Sequence, residues 1–152
     1  MTPPAFYAFG RPDSGAPDID LHPHLARDCW WLGRLTACQV LLMNDSRYPW
    51  LILVPNQAGL TDFDLLPEAL VAPVHEDIRR ASQALRTLFQ PDKLNVASLG
   101  NSVPQLHIHV IARFCQDAAW PRPVWGCHPA LPYAELVLRE QADRLCTALG
   151  IV

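Results

Sequence analysis

The chemistry-bearing residues of this chain are concentrated in one short run, Gln105-Leu106-His107-Ile108-His109. Polar and apolar types alternate there, which is the period of a β-strand. On a strand, Gln105, His107 and His109 share one face at about 6–7 Å per step, while Leu106, Ile108 and Val110 turn toward a core. A solvated strand face ordinarily carries Lys, Glu or Thr, so two imidazoles and an amide in register point to chemistry. Three uses fit the pair: metal ligation, general acid–base work, and nucleophilic attack on phosphorus by a neutral imidazole. A metal would need further ligands. His22, His24, His75 and His128 lack diagnostic spacing, and the next acidic residue after the pair is Asp117, with Glu135 the first glutamate beyond it. No metal and no other cofactor is expected. Just upstream, Gly100-Asn101-Ser102-Val103-Pro104 reads as a turn. Such a turn can aim backbone N–H groups at an anion, and the Ser102 hydroxyl adds a donor.

The elements that must hold this run are legible in outline. A short helix is expected over Asp20–Asp28, with Pro23 tolerated in its first turn. Strands are expected at Trp30–Leu35, Val40–Met43 and Leu51–Val54, the last two forming a hairpin around Asn44–Pro49. A helix over Pro67–Phe89 places Val71, Val74, Ile78, Ala81, Leu85 and Leu88 on one face, with Asp77 off that stripe and Pro73 marking a first turn or a kink. Strands at Leu94–Ala97 and Leu106–Phe114 follow. A Trp/Pro-rich segment, Trp120–Pro132, precedes a last helix over Tyr133–Leu149 with Leu138, Ala142, Leu145 and Leu149 inward and Gly150 as C-cap. Thr2–Pro17 reads as an irregular arm. The order of elements gives an α+β fold with an antiparallel sheet, one domain over 1–152 with its core at about 20–115 and a C-terminal Trp/Pro segment and helix at 120–150.

The stretch from Asn95 to Arg113 resembles the signature of the histidine-triad (HIT) superfamily, in which alternating histidines follow a Gly-x-Ser/Thr-Val turn. Leu41-Leu42-Met43-Asn44 and Leu51-Ile52-Leu53-Val54-Pro55 are similar to the two upstream strands of that family, and the resemblance covers about Trp30 to Phe114. Gln105 stands where the first histidine is usual. The sequence is most similar to a bacterial branch with Gln-x-His-x-His and a Trp-Pro-x-Pro-Val-Trp-Gly segment, here Trp120–Gly126. Trp50 sits where many relatives have a further histidine.

The resemblance implies a HIT-like fold that is dimeric, and a nucleotide hydrolase or nucleotidyl transferase. Its substrate would be a phosphoanhydride or phosphoramidate of a nucleoside monophosphate. It implies that His107 attacks the α-phosphorus and carries the nucleotidyl group, that His109 contacts the phosphate and assists the leaving group, and that Gln105 orients by hydrogen bonds. It further implies substrate binding by Asn44 at ribose hydroxyls, by Asn95 and Ser102 at phosphate, and by Asn101. A histidine restored at 105 is expected to be tolerated. The alternative reading is a nucleotide-binding sensor or interaction module that turns over poorly.

Bulk properties are consistent with this. The chain has 152 residues, 50% apolar and 18% charged, with a net charge of -3; nucleic-acid backbone binders are usually basic, so no nucleic-acid polymer is expected as a partner. Low charge, five tryptophans and the commonness of twofold pairs favour a homodimer. Five cysteines without CxxC spacing read as free thiols in a reducing compartment. Met1–Arg11 lacks the pattern of a signal peptide, and no apolar run approaches the ~20 residues that span a bilayer. The expected location is cytoplasmic.

Overall fold

A computed structural model of the chain describes residues 19–151. The arm expected at Thr2–Pro17 and the Met1–Arg11 segment lie outside the described residues. The elements in chain order are α1 (Pro23–Asp28), β1 (Cys29–Arg34), β2 (Cys38–Met43), β3 (Trp50–Pro55), a 3-10 turn (Phe63–Leu65), α2 (Glu68–Phe89), β4 (Lys93–Ala97), β5 (Ile108–Arg113) and α3 (Glu135–Leu149). The fold is α+β. Among the described residues a five-stranded sheet has the order β1-β2-β3-β5-β4, antiparallel at every pairing. No described helix is long and apolar enough to cross a membrane, and all five cysteines are free thiols.

One face of the sheet makes the main core. Val40 and Leu42 of β2, Leu51 and Leu53 of β3, and Ile108, Val110 and Ala112 of β5 pack with Val74, Ala81 and Leu85 of α2 and Leu138, Ala142, Leu145 and Leu149 of α3. The α3 stripe is the one expected. In α2 the expected stripe is kept at Val74, Ala81 and Leu85, which are buried, and at Ile78 and Leu88, which pack against the core, while Val71 is exposed and Asp77 and Ala84 join the buried set. Asp77 is fully buried and accepts backbone N–H bonds from Thr36 (3.1 Å), Ala37 (2.7 Å) and Cys38 (2.9 Å), satisfying donors of the β1–β2 turn that burial would otherwise leave orphaned. Pro73 lies inside α2, which runs through it.

β1 is bulged between Trp31 and Gly33. Gly33 has φ +143°, and a Cβ there would run into the side chain of Ile151, so only glycine lets the chain end pack onto this strand.

The opposite face of the sheet is also covered. Leu25, Cys29, Leu41, Tyr48, Trp50, Ile52, Val54, Ile111, Ala119 and Val124 form a second buried cluster, with Ile19, Leu21 and Trp125 packed against it. Since β2 and β3 are apolar on both faces, both must be sheltered. The 120–132 segment supplies part of that shelter. Arg47, paired with Asp45 at 2.9 Å, donates to the carbonyl of Pro129, and Ser46 N–H donates to Leu131 O at 2.7 Å.

Candidate active site

The second face of the sheet carries the site. In register, Ala97 of β4 and Ile52 of β3 flank His109, and Asn95 and Trp50 flank Ile111. His107 and His109 are both buried, 5% and 6% exposed. Their ring centroids are 4.8 Å apart with planes at 71°.

The strand expected from Leu106 begins only at Ile108. Leu106 instead donates its N–H to Leu60 O at 2.9 Å, outside the sheet. Gln105 and His107 therefore both precede the strand, and of the three expected in a row on it only His109 lies there. The Gln105 side-chain amide works elsewhere: Oε1 accepts from His22 N–H at 2.7 Å and Nε2 donates to Asp20 O at 2.9 Å. This pair staples the segment leading into α1 against the loop before β5. The same segment is tied at Ile19, whose N–H donates to Asn56 Oδ1 (2.9 Å) and whose carbonyl accepts from Gln39 Nε2 (2.9 Å). A histidine at 105, with one donor and one acceptor on a rigid ring, could not make both bonds. The expectation that a histidine restored there is tolerated therefore has to allow for a loosened 20–22 segment.

Hydrogen bonding sets the tautomer of each imidazole. His107 Nδ1 is 2.7 Å from the carbonyl of Gln105. A carbonyl only accepts, so Nδ1 carries the hydrogen and Nε2 of the neutral ring holds a free lone pair. His109 is arranged the other way. Trp50 Nε1–H donates to His109 Nδ1 at 3.0 Å, so the neutral ring keeps its hydrogen on Nε2. Burial above all, and then the adjacent His107, pushes the His109 pKa down to about 3; the ring is neutral at ordinary pH.

Two tryptophans wall the pair. Trp50 lies 5.6 Å from His109 and 6.0 Å from Trp125, and Trp125 meets the His109 ring edge-on at 5.1 Å. Trp125 Nε1 is buried with no hydrogen-bond partner among the described residues. The contact of Trp125 with His109 depends on the fold-back of the 120–132 segment. The usable signal for Trp50 was its position where relatives carry a histidine.

Beyond the histidines, Arg113 organises the end of β5. It is buried with its partner Asp117, bonding that carboxylate through Nε (2.7 Å) and Nη2 (3.0 Å), Asn95 Oδ1 through Nη1 (2.7 Å) and the Arg122 carbonyl through Nη2 (2.8 Å). Burial alone would raise the Asp117 pKa, but hydrogen bonds from Arg113 and from the backbone N–H groups of Phe114 and Ala119 outweigh it and hold the carboxyl at about 2. The network anchors the chain just before Trp120–Gly126, and the Arg113 guanidinium lies 5.7 Å from the Trp120 ring.

The expected binding residues are distributed unevenly. Asn95 lies on the histidine face with its carbonyl oxygen engaged by Arg113, leaving the amide N–H groups as its donors. Asn44, just beyond β2, accepts from Tyr133 N–H at 3.0 Å, linking that strand end to the approach to α3. Asn101 and Ser102 are exposed in the loop before β5, next to Gly100, whose φ of +76° makes the left-handed bend. Among the described residues no group of three or more His, Cys, Asp or Glu side chains is disposed to hold a metal ion.

Comparison with known proteins bears on this arrangement. The HIT domain profile matches residues 28–116. A histidine triad protein from Bradyrhizobium japonicum is 41% identical, with 88% of this chain and 99% of that chain covered and a TM-score of 0.84. One from Marinobacter aquaeolei VT8 is 41% identical over 90% of this chain and 100% of that one, TM-score 0.85. One from Sinorhizobium meliloti 1021 is 40% identical over 85% and 96%, TM-score 0.83. No curated protein matches the sequence.

Proposed function

Since the chain belongs to the histidine-triad family, we infer that it is a nucleotide hydrolase or nucleotidyl transferase working through a covalent nucleotidyl-histidine. The substrate is a phosphoanhydride or phosphoramidate of a nucleoside monophosphate. The observation that carries this reading is the His107 tautomer: with Nδ1–H donated to the Gln105 carbonyl, Nε2 is the nucleophilic nitrogen, and the neighbouring ring is a neutral donor. Attack forms an Nε2–P bond and breaks the bond from phosphorus to the leaving group. Water or another acceptor then displaces the imidazole, which is the covalent route that divides one hard step into two.

Substrate binding falls to the surrounding polar groups. Ser102 and Asn101 lie in the exposed loop and Asn95 offers its amide N–H groups; these serve the phosphates. Asn44 serves the ribose, which requires a hydroxyl to share or replace the Tyr133 N–H at its oxygen. We further propose a homodimer in the cytoplasm. An exposed edge strand, β4 with Val96 outward, and the exposed Leu136 and Val137 of α3 are the surfaces that support self-association.

The test is to incubate the protein with a dinucleoside polyphosphate, quench in base, and map the modified peptide by mass. The expected result is a nucleoside monophosphate on His107, with adduct and turnover both lost in His107→Ala while the fold is retained. Full turnover in that variant, or an adduct on another residue, would overturn the mechanism. Nucleotide binding without turnover or adduct would establish instead the sensor reading, which the engagement of both ends of the Gln105 amide by backbone groups favours.

A further inference from the structure

His109 is enclosed by aromatic rings and tied to one of them. Trp50 donates its indole N–H to Nδ1 at 3.0 Å, and Trp125 closes over the ring edge-on. An indole nitrogen only donates, so Nδ1 must present its lone pair and Nε2 must carry the hydrogen. Two consequences follow for proton transfer. A second proton on Nδ1 would set N–H against N–H in a buried site, where an unpaired donor is costly. Loss of the Nε2 hydrogen would leave an imidazolate, out of reach near neutral pH. His109 can lend Nε2–H as a hydrogen bond but cannot hand its proton over.

The leaving group must then depart without a proton from this ring. When a phosphoanhydride is split, the electron pair of the breaking P–O bond goes to oxygen, and the leaving group departs as a phosphate or nucleotide anion that a hydrogen bond suffices to stabilise. When a phosphoramidate of an amine is split, the pair goes to nitrogen, which leaves only if it is protonated as the P–N bond breaks. The enzyme's own adduct escapes this problem. With Nδ1–H kept on the Gln105 carbonyl, nucleotidyl-His107 is a cationic imidazole derivative. Water attacks phosphorus, the P–N pair returns to Nε2 of a neutral ring, and the surplus proton passes to solvent.

We propose that Trp50 is a positioning residue that holds His109 as a fixed neutral donor, and that the site therefore selects phosphoanhydrides over amine phosphoramidates. This rests on the nucleotidyl-transfer reading above and narrows its substrate class.

The experiment compares kcat/KM for diadenosine triphosphate and adenosine 5′-phosphoramidate in the full chain. The triphosphate should be favoured by about 100-fold or more, the scale of a missing general acid. Trp50→Phe keeps an aromatic ring and removes the donor, and 15N NMR of that variant should show the His109 hydrogen no longer confined to Nε2, while burial and His107 still keep the ring neutral. Independently, 15N NMR of the parent should show His109 Nδ1 unprotonated and Nε2 protonated at neutral pH. This measurement and the parent's substrate ratio stand without the variant should it not fold. Phosphoramidate turnover as fast as that of the triphosphate, with the adduct on His107, overturns this inference alone. So does an NMR signature placing the hydrogen on Nδ1 in the parent. Turnover of neither substrate, with no adduct, removes the nucleotidyl-transfer reading and this inference with it.

Discussion

Acid should titrate His109 in the unfolded chain well before it does so in the folded one. Burial first, and His107 second, set the folded pKa at about 3, against about 6.5 for a solvated imidazole. The folded value is the lower, so between the two it is the unfolded state that binds the extra proton. The contribution to stability is fully present above the unfolded pKa and is lost as the pH falls toward the folded one. Within that window the slope approaches about 1.4 kcal/mol per pH unit. Integrated from about pH 6.5 to about pH 4.5, where the unfolded imidazole passes from half to almost fully protonated, the loss is about 2 kcal/mol. That is a large part of a typical domain's ~5–15 kcal/mol.

The assay is urea unfolding followed by tryptophan fluorescence across that range, on the parent and on His109→Gln. Glutamine can accept the Trp50 N–H through Oε1 but takes up no proton. Groups common to both proteins cancel in the difference, so the parent should lose about 2 kcal/mol more than the variant on acidification. Parallel pH dependences, or an NMR titration placing the His109 ring near pH 6.5, would refute the reasoning that joins its burial and the Trp50 bond to a neutral state.

Two further outcomes are expected. Asp117→Ala leaves the Arg113 guanidinium buried without its bidentate carboxylate, and should cost about 3–5 kcal/mol in the same unfolding assay; a loss under 1 kcal/mol, the scale of an exposed pair, would contradict the buried network. Gln105→His should keep the fold but lose at least one bond of the staple to 20–22, at about 1 kcal/mol each, with faster hydrogen exchange at the His22 amide. Exchange there as slow as in the parent would show that the amide does not hold this segment.

Much of this was legible in one dimension because it follows from periodicity and punctuation. The α3 stripe appeared as Leu138, Ala142, Leu145 and Leu149, and all four are buried. Gly150 caps the helix in the left-handed conformation, as its place after the last apolar residue implied. Strand and helix limits moved by one to three residues, since end residues are fixed by caps and partners rather than by pattern. The α2 stripe held except at Val71, which is exposed, and at Asp77, which was expected outside. Hydropathy puts an aspartate outside, but Asp77 is buried because three backbone N–H groups, some 40 residues distant in the chain, need an acceptor.

The two histidines and their spacing were read from the sequence alone, but that their rings meet at 4.8 Å, with His107 just before the strand and His109 on it, was settled by the folded chain. What each ring does with its proton was decided only by tertiary structure. Nδ1 of His107 meets the carbonyl of Gln105, two residues away, because the chain bends there before the strand begins. Nδ1 of His109 meets Trp50, 59 residues away, because β3 and β5 pair in one register. Gln105, which looked like a third member of the row, turns to Asp20 and His22 instead. Side-chain types and spacing are written in the chain, but a hydrogen bond between distant residues exists only once strand register brings donor and acceptor to within about 3 Å.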